Sequence, residues 1–180
     1  MPELSRPIRG RVWKFGDSVD TNQLAGGGVQ VSDDPRENLR ANCLRGIRPE
    51  FAANAKAGDI LVAGTNFGCG SHRQTAVEAL QLNGIEAVLA ESVARIHMRN
   101  SIALALPTFV VPGISSSVDD GDIVEIDYAA GIVQNLRTEL TLPFKKFPAA
   151  VERIYELGGL TPVIAQKLAE QGVFPPSRPA

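Results

Sequence analysis

Cysteine and histidine are scarce in this 180-residue sequence: two of each, namely Cys43, Cys69, His72 and His97. Scattered as they are, these four residues cannot by themselves make an iron–sulfur or structural zinc site of the usual kind. Two cysteines give no disulfide framework either, so a reducing, cytoplasmic compartment is the simplest expectation. An excess of one charge is also missing. Lys and Arg number 18 against 20 Asp and Glu, the net charge is −2, and no segment carries a basic stripe. That balance argues against a nucleic-acid groove. Long apolar runs are absent too. The stretch from Ile102 to Val111 is too short to span a bilayer and is broken by Pro107. Met1 to Arg11 has no apolar signal core, so neither a membrane span nor secretion is predicted.

What is present describes a folded unit. Hydrophobic residues make up 44% and charged residues 21%, the balance of a globular chain with a real core. No internal repeat and no long linker divides it. We expect one domain over residues 1–173, followed by a frayed, proline-rich tail at 174–180.

Hydrophobic patterning predicts the elements. Gly10 to Phe15 alternates into a strand. Gly16 to Asn22 is turn chemistry, and Gly26-Gly27-Gly28 marks a mobile or close-packed loop. Pro35 to Leu44 reads as a helix with Asp33 or Asp34 near its start. Ile60 to Ala63, Ile85 to Leu89 and Thr108 to Val111 read as buried strands, with helices over Arg73 to Leu82 and Ser92 to Leu106 between them. Strand, helix, strand, helix, strand over about fifty residues is the pattern of a parallel sheet covered by helices. Gly121 to Tyr128 and Gly131 to Leu136 then form a hairpin, and helices follow at Ala149 to Gly158 and Thr161 to Glu170. The fold class is α/β.

The loop after the second strand, "NFGCGSHRQTA" from Asn66 to Ala76, carries the chemistry. A glycine-rich turn that opens a helix exposes backbone N–H groups in a positive field and so suits an anion. Arg73 adds a planar fork of donors for a carboxylate or phosphate. The same field favours a serine alkoxide, which makes Ser71 a candidate general base. The competing reading is a plain corner, with Ser71 as helix N-cap and Arg73 in solvent. The pattern is neither a nucleophile elbow nor a Walker loop. His72 is open between substrate contact and simple exposure. His97 reads as structural, Cys69 as a small filler between glycines and Cys43 as core.

These residues resemble a known family. "GTNFGCGSHRQTAVEAL" resembles the Gly-Ser-Ser-Arg-Glu-His loop of the swivelling domain of the aconitase superfamily, closest to the small subunits of 3-isopropylmalate dehydratases. "GRVWKFGDSVDTNQL" is similar to that subunit's first strand and Asp-x-Ile-Asp-Thr-Asp turn. "ESVARIHMRNSIALALPTFV" is similar to its Ser-Phe-Ala-Arg-Ile-x-x-Arg-Asn segment, and "ELGGL" to its C-terminal helix end. The matches run in order over most of residues 9–165.

The resemblance implies a swivelling β/β/α domain: a largely parallel sheet with flanking helices and an added β hairpin. It implies a hydro-lyase that dehydrates and rehydrates a small 2-hydroxy dicarboxylic acid of the malate type. Ser71 would be the base, and Arg73 the carboxylate-binding residue. The backbone N–H groups of Gly70 and Ser71 would hold developing charge, with His72 and Thr21 beside the substrate. No cofactor is expected on this chain. A [4Fe-4S] cluster on a large dehydratase subunit would bind the leaving hydroxyl. No nucleic acid or membrane partner is implied, and a homo-oligomer of the isolated chain is compatible with the resemblance.

The sequence departs from the family at His72, which replaces a second serine, at Gln74 and Thr75, which replace Glu-His, and at Asn22, which replaces an aspartate. The loop from Leu24 to Val31, which in relatives helps to read the substrate's variable group, has no cation until Arg36. It therefore favours an alkyl-substituted malate over a third carboxylate. Arg95 and Arg99 read either as surface charges or as carboxylate contacts, and Asp17, Asp20 and Thr21 as turn supports or site supports. The alternative to a hydro-lyase subunit is a non-catalytic swivel-domain paralogue that binds a carboxylate or regulates a partner.

Overall fold

The computed structural model describes Leu4, Arg6 to Gly26 and Gly28 to Gly172. The predicted tail at 174–180, the domain limits at 1–173 and the middle glycine of the triple lie wholly or partly outside the described residues. The chain begins with β1 (Ile8–Lys14), α1 (Thr21–Ala25), α2 (Pro35–Asn42), α3 (Phe51–Asn54) and β2 (Asp59–Ala63). It continues through α4 (Thr75–Leu82), β3 (Ile85–Ala90), α5 (Arg95–Ala103), β4 (Thr108–Val110) and α6 (Ile114–Ser117). It closes with β5 (Ile123–Asp127), β6 (Ile132–Asn135), β7 (Thr141–Pro143), α7 (Ala149–Glu156) and α8 (Leu160–Glu170).

The strands form one seven-stranded sheet in the order β4-β3-β2-β1-β5-β6-β7. From β1 to β4 every pairing is parallel, and from β1 through β5 to β7 every pairing is antiparallel. The α/β class stands as predicted, but the antiparallel half is larger than one hairpin. The seam is β1. Its first residues, Ile8 to Arg11, pair with β5, and its last, Val12 to Lys14, pair with β2. Gly10 sits where a Cβ would run into the Gly58 carbonyl, so only glycine lets the turn before β2 approach the seam strand this closely.

Alternation along the central strands feeds two cores. Val12, Ile60, Val62, Ala87 and Leu89 pack with Phe109, Ile114, Val124, Ile126 and Tyr155. Trp13, Leu61, Ala63, Val88 and Ala90 face the other way, onto Leu24 of α1, Phe51 of α3 and the apolar side of α4. Every residue of β2 is buried, which is why Ile60 to Ala63 reads as a continuous apolar run after Asp59. In β5 burial alternates, and the strand shows one face to water.

The two helices between the parallel strands are shorter than predicted. The one expected from Arg73 begins at Thr75, and the one expected over Ser92 to Leu106 spans Arg95–Ala103. The turn expected up to Asn22 contains helix α1, whose N-cap Asp20 forms a capping box with Gln23.

Beneath the seam lies a buried carboxylate. Asp59 is 5% exposed and accepts hydrogen bonds from Trp13 Nε1 at 2.7 Å, Arg11 at 2.8 Å and the Lys56 N–H at 2.9 Å. Burial alone would raise its pKa, but the bonds from Arg11, Lys56 and Trp13 outweigh it and hold the carboxyl below the ordinary value. A depressed carboxyl stabilises the fold above its unfolded pKa of 3.8, and this contribution is lost as pH falls through the folded value. Asp59→Ala should cost about 2–4 kcal/mol in urea denaturation at neutral pH, because it leaves the Trp13 and Lys56 donors unpaired. The difference from the parent protein should shrink on acidification below the ordinary aspartate range. A difference that does not change with pH would contradict this assignment.

Candidate active site

The carboxyl ends of the parallel strands carry the loops where an open α/β sheet binds ligands. The loop after β2 is held on two sides. On one side it meets the segment after β1: Gly68 N–H donates to Val19 O, and Thr21 N–H to Cys69 O, both at 2.8 Å. On the other it meets the segment after β3: Phe67 N–H donates to Ser92 O at 3.0 Å, and Ala94 N–H to Phe67 O at 2.8 Å. These contacts continue the parallel sheet beyond its strands, with isolated bridges pairing Asp20 with Cys69 and Phe67 with Val93.

Two glycines let the loop turn. Gly68 has φ +73°, and a Cβ there would collide with the imidazole of His97. Gly70 has φ +105°, and a Cβ there would stand 2.9 Å from Thr21 Oγ1. His97 is 1% exposed on α5 and stands edge-on to Phe67 with ring centroids 5.0 Å apart. Burial lowers its pKa to about 4, so it is a neutral, space-filling ring at pH 7. It forms the wall behind Gly68, a placement compatible with the structural reading.

The loop brings Ser71, Arg73, Gly70, Thr21 and Asn22 together. The Ser71 N–H donates to Thr21 Oγ1 at 2.8 Å. Arg73 Nε donates to Ser71 Oγ at 3.2 Å, and its Nη2 donates to Asn22 Oδ1, also at 3.2 Å. Ser71 is half-buried and Arg73 is exposed. The serine oxygen therefore accepts from a permanent cation at the edge of solvent. That arrangement favours a serine alkoxide and leaves further guanidinium donors for a carboxylate.

The geometry corrects several expectations. Ser71 is not the N-cap of α4. That position is Gln74, whose side chain makes no cap bond. Arg73 precedes the helix and folds back onto Ser71 and Asn22 instead of standing in its first turn. The Ser71 N–H, expected to hold developing charge, is engaged by Thr21. The Gly70 N–H makes no hydrogen bond among the described residues. The His72 side chain is exposed, while its backbone oxygen accepts from Asn100 Nδ2 of α5 at 2.8 Å. Asn100 lies in the segment that the sequence singled out, but its part as the loop's second anchor has no sequence signal. Asp17 supports the turn: its Oδ1 accepts from the Thr65 N–H at 2.6 Å. Asp20 caps α1. Arg95 and Arg99 are exposed and make no side-chain hydrogen bond among the described residues.

Beside Asn22 opens a cavity of about 510 Å³, lined by Asn22, Gln23, Gly28, Val29, Asn42 and Arg45 among others. Its wall is the glycine-rich loop, and that wall is clipped to α2. Asn42 Oδ1 accepts from the Val29 N–H at 3.0 Å and its Nδ2 donates to Val29 O at 2.9 Å. Asn38 accepts from the N–H groups of Val31 and Ser32. Of the two readings of the triple glycine, close packing holds at Gly28, where a Cβ would strike Asn42.

The chain is similar to known proteins over most of its length. The family described as Aconitase C-terminal domain matches residues 44–112. The 3-isopropylmalate dehydratase small subunit 1 of Methanopyrus kandleri is 43% identical over 89% of this chain and 94% of its own length. The isopropylmalate/citramalate isomerase small subunit of Methanocaldococcus jannaschii is 43% identical over 91% of this chain and 96% of its own. The methanogen homoaconitase small subunit of Methanothermobacter thermautotrophicus is 43% identical over 85% and 88% respectively. Among solved structures, a 3-isopropylmalate dehydratase chain (LeuD) of Methanocaldococcus jannaschii superposes with a TM-score of 0.84 at 36% identity, covering 93% of this chain and 99% of that one.

The contact between Gly68 and His97 is testable. Gly68→Ala should lower the thermal midpoint, both by left-handed strain and by collision with the imidazole. Gly68→Ala combined with His97→Ala should cost less than the sum of the single variants, with a coupling of about 1–2 kcal/mol. Strictly additive losses would show that the two residues do not press on each other.

Proposed function

This chain belongs to the family of 3-isopropylmalate dehydratase small subunits, and on that premise we propose that it is the proton-handling subunit of a cytoplasmic two-subunit hydro-lyase. The substrate is a 2-hydroxy dicarboxylic acid of the malate type, isopropylmalate or a related alkyl-malate. The observation that carries this reading is the approach of Arg73 Nε to Ser71 Oγ at 3.2 Å.

Each residue has a part in the reaction. Ser71 Oγ removes the proton α to a carboxylate in dehydration and returns one in hydration. Arg73 holds that carboxylate and stabilises the alkoxide form of Ser71. The Gly70 N–H faces the charge that develops on the substrate. Thr21 fixes the serine by accepting its N–H, and Asn22 orients the guanidinium. His72, exposed beside them, offers a polar contact to the substrate.

Removal of the hydroxyl needs a Lewis acid, which in this reading is a [4Fe-4S] cluster held by the large subunit. The donors of this chain do not fit such a cluster. Cys43 is buried, with its thiol pKa pushed up by desolvation, and Cys69 Sγ points at Ser18 O, 3.7 Å away. Among the described residues no three His, Cys, Asp or Glu side chains stand together as a metal-binding group.

The test is co-expression with the large subunit, anaerobic cluster reconstitution and measurement of alkene absorbance with alkyl-malates. Turnover is expected, and Ser71→Ala should lower kcat by about 10²–10⁴-fold, the scale of a lost general base. Arg73→Lys should raise KM more than it lowers kcat, because a bidentate fork becomes a point charge. An assembled complex with an intact cluster and no turnover of any malate would favour a carboxylate-binding paralogue instead.

A further inference from the structure

We infer that Asn22 makes the site select its substrate by charge: it holds Arg73 without neutralising it, so that the group bound there must be an ionised carboxylate. This rests on the proposed reaction and deepens it, because charge as well as shape then defines the substrate. Asn22 acts through Arg73 and is therefore a positioning residue.

The guanidinium of Arg73 meets only neutral oxygens among the described residues. Its Nε donates to Ser71 Oγ and its Nη2 to Asn22 Oδ1, each at 3.2 Å, and it joins no ion pair. By contrast Arg11, Arg40, Arg48 and Arg137 each reach a carboxylate oxygen, at 2.8, 2.7, 2.7 and 2.6 Å respectively. Two features keep Arg73 apart from them. The segment from Gly64 to Val77 contains no Asp or Glu. The carboxylates of the flanking segments are tied to backbone instead. Asp20 Oδ1 accepts from the N–H groups of Asn22 and Gln23, Asp17 Oδ1 from the Thr65 N–H, and Glu91 from the N–H groups of Gly113 and Ser115.

The same cap that occupies Asp20 places Asn22. The Asn22 N–H is bonded at 2.8 Å to Asp20 Oδ1, so its side chain leaves the first turn of α1 at a set point. A carboxylate at this point would have the shape of the amide and would pair with the guanidinium. It would offset the charge that attracts the substrate and that favours the Ser71 alkoxide. The amide oxygen orients the fork and leaves its charge in place.

The experiment uses the reconstituted two-subunit enzyme, with isopropylmalate as substrate. The competitive inhibitor is its primary amide, made at the carboxyl that Arg73 is proposed to hold. The parent enzyme should bind the amide at least about tenfold more weakly than isopropylmalate, the scale of one charge-assisted hydrogen bond. Asn22→Asp should raise KM for isopropylmalate roughly tenfold, lower kcat by less, and change the inhibition constant of the amide by no more than about threefold. Asn22→Ala, which removes the contact but adds no charge, should raise KM by less than Asn22→Asp and keep most of the preference for the carboxylate. A parent enzyme that does not distinguish the two compounds would overturn the role of Asn22 and leave the proposed reaction intact. So would an Asn22→Asp enzyme with the parent KM, or an Asn22→Ala enzyme impaired as much as Asn22→Asp. A parent enzyme inactive on every malate would overturn the proposed reaction, and the Asn22 assignment with it.

Discussion

The hydrogen bond from the Ser71 N–H to Thr21 Oγ1, 2.8 Å long, joins segments 50 residues apart and sets the position of Ser71. Thr21 can accept it because α1 is anchored just before it by Asp20 and because the Thr21 N–H is itself bonded to Cys69 O. Thr21 thus bonds the loop in both directions, donating its N–H to Cys69 O and accepting the Ser71 N–H. Gly70 is required between them, since a Cβ there would crowd Thr21 Oγ1. Without this clasp the segment after β1 would hold the loop chiefly through Gly68 and Arg73, on either side of Ser71.

The clasp depends on the sheet beneath it. β1 and β2 are parallel neighbours, so both chains leave the sheet at the same edge and their loops meet there. β3 adds the third strand end, and through it the segment from Ser92 to Ala94. Helix α5 follows, with His97 behind Gly68 and Asn100 on the His72 carbonyl. The loop is therefore enclosed by three consecutive strand ends and needs no regular structure of its own. Holding a serine and an arginine in this way restricts them before substrate arrives, which is how binding geometry lowers a barrier.

The sequence disclosed the parts of this arrangement that involve local period and composition. The buried strands stand out as apolar runs at Ile60 to Ala63 and Ile85 to Leu89, and the loop stands out by its glycines. Ser71 and Arg73 stand two residues apart in sequence and touch in space. Other parts were hidden for physical reasons. Helix α1 has five residues, too few for a helical period to show, although its capping box, Asp20 with Gln23, was a visible signal. Strand β7 has three residues and no alternation to read. The start of α4 fell two residues late because the ties at Ser71 and His72 keep the preceding backbone out of the helix. Asn42 and Asn100 act across long sequence separations, on Val29 and on the His72 carbonyl, where no spacing rule applies.

The relatives divide by the names they carry, isopropylmalate, citramalate and homoaconitate chemistry, at the same 43% identity to this chain. Overall similarity therefore does not choose the substrate. The central claim is that Ser71 moves the substrate proton. The most direct measurement is exchange of the substrate's carbon-bound proton with solvent deuterium, followed by NMR in the reconstituted complex. Exchange is expected in the parent enzyme, with its loss in Ser71→Ala and substrate binding retained. Exchange at the parent rate in Ser71→Ala would contradict it and move the base to another residue.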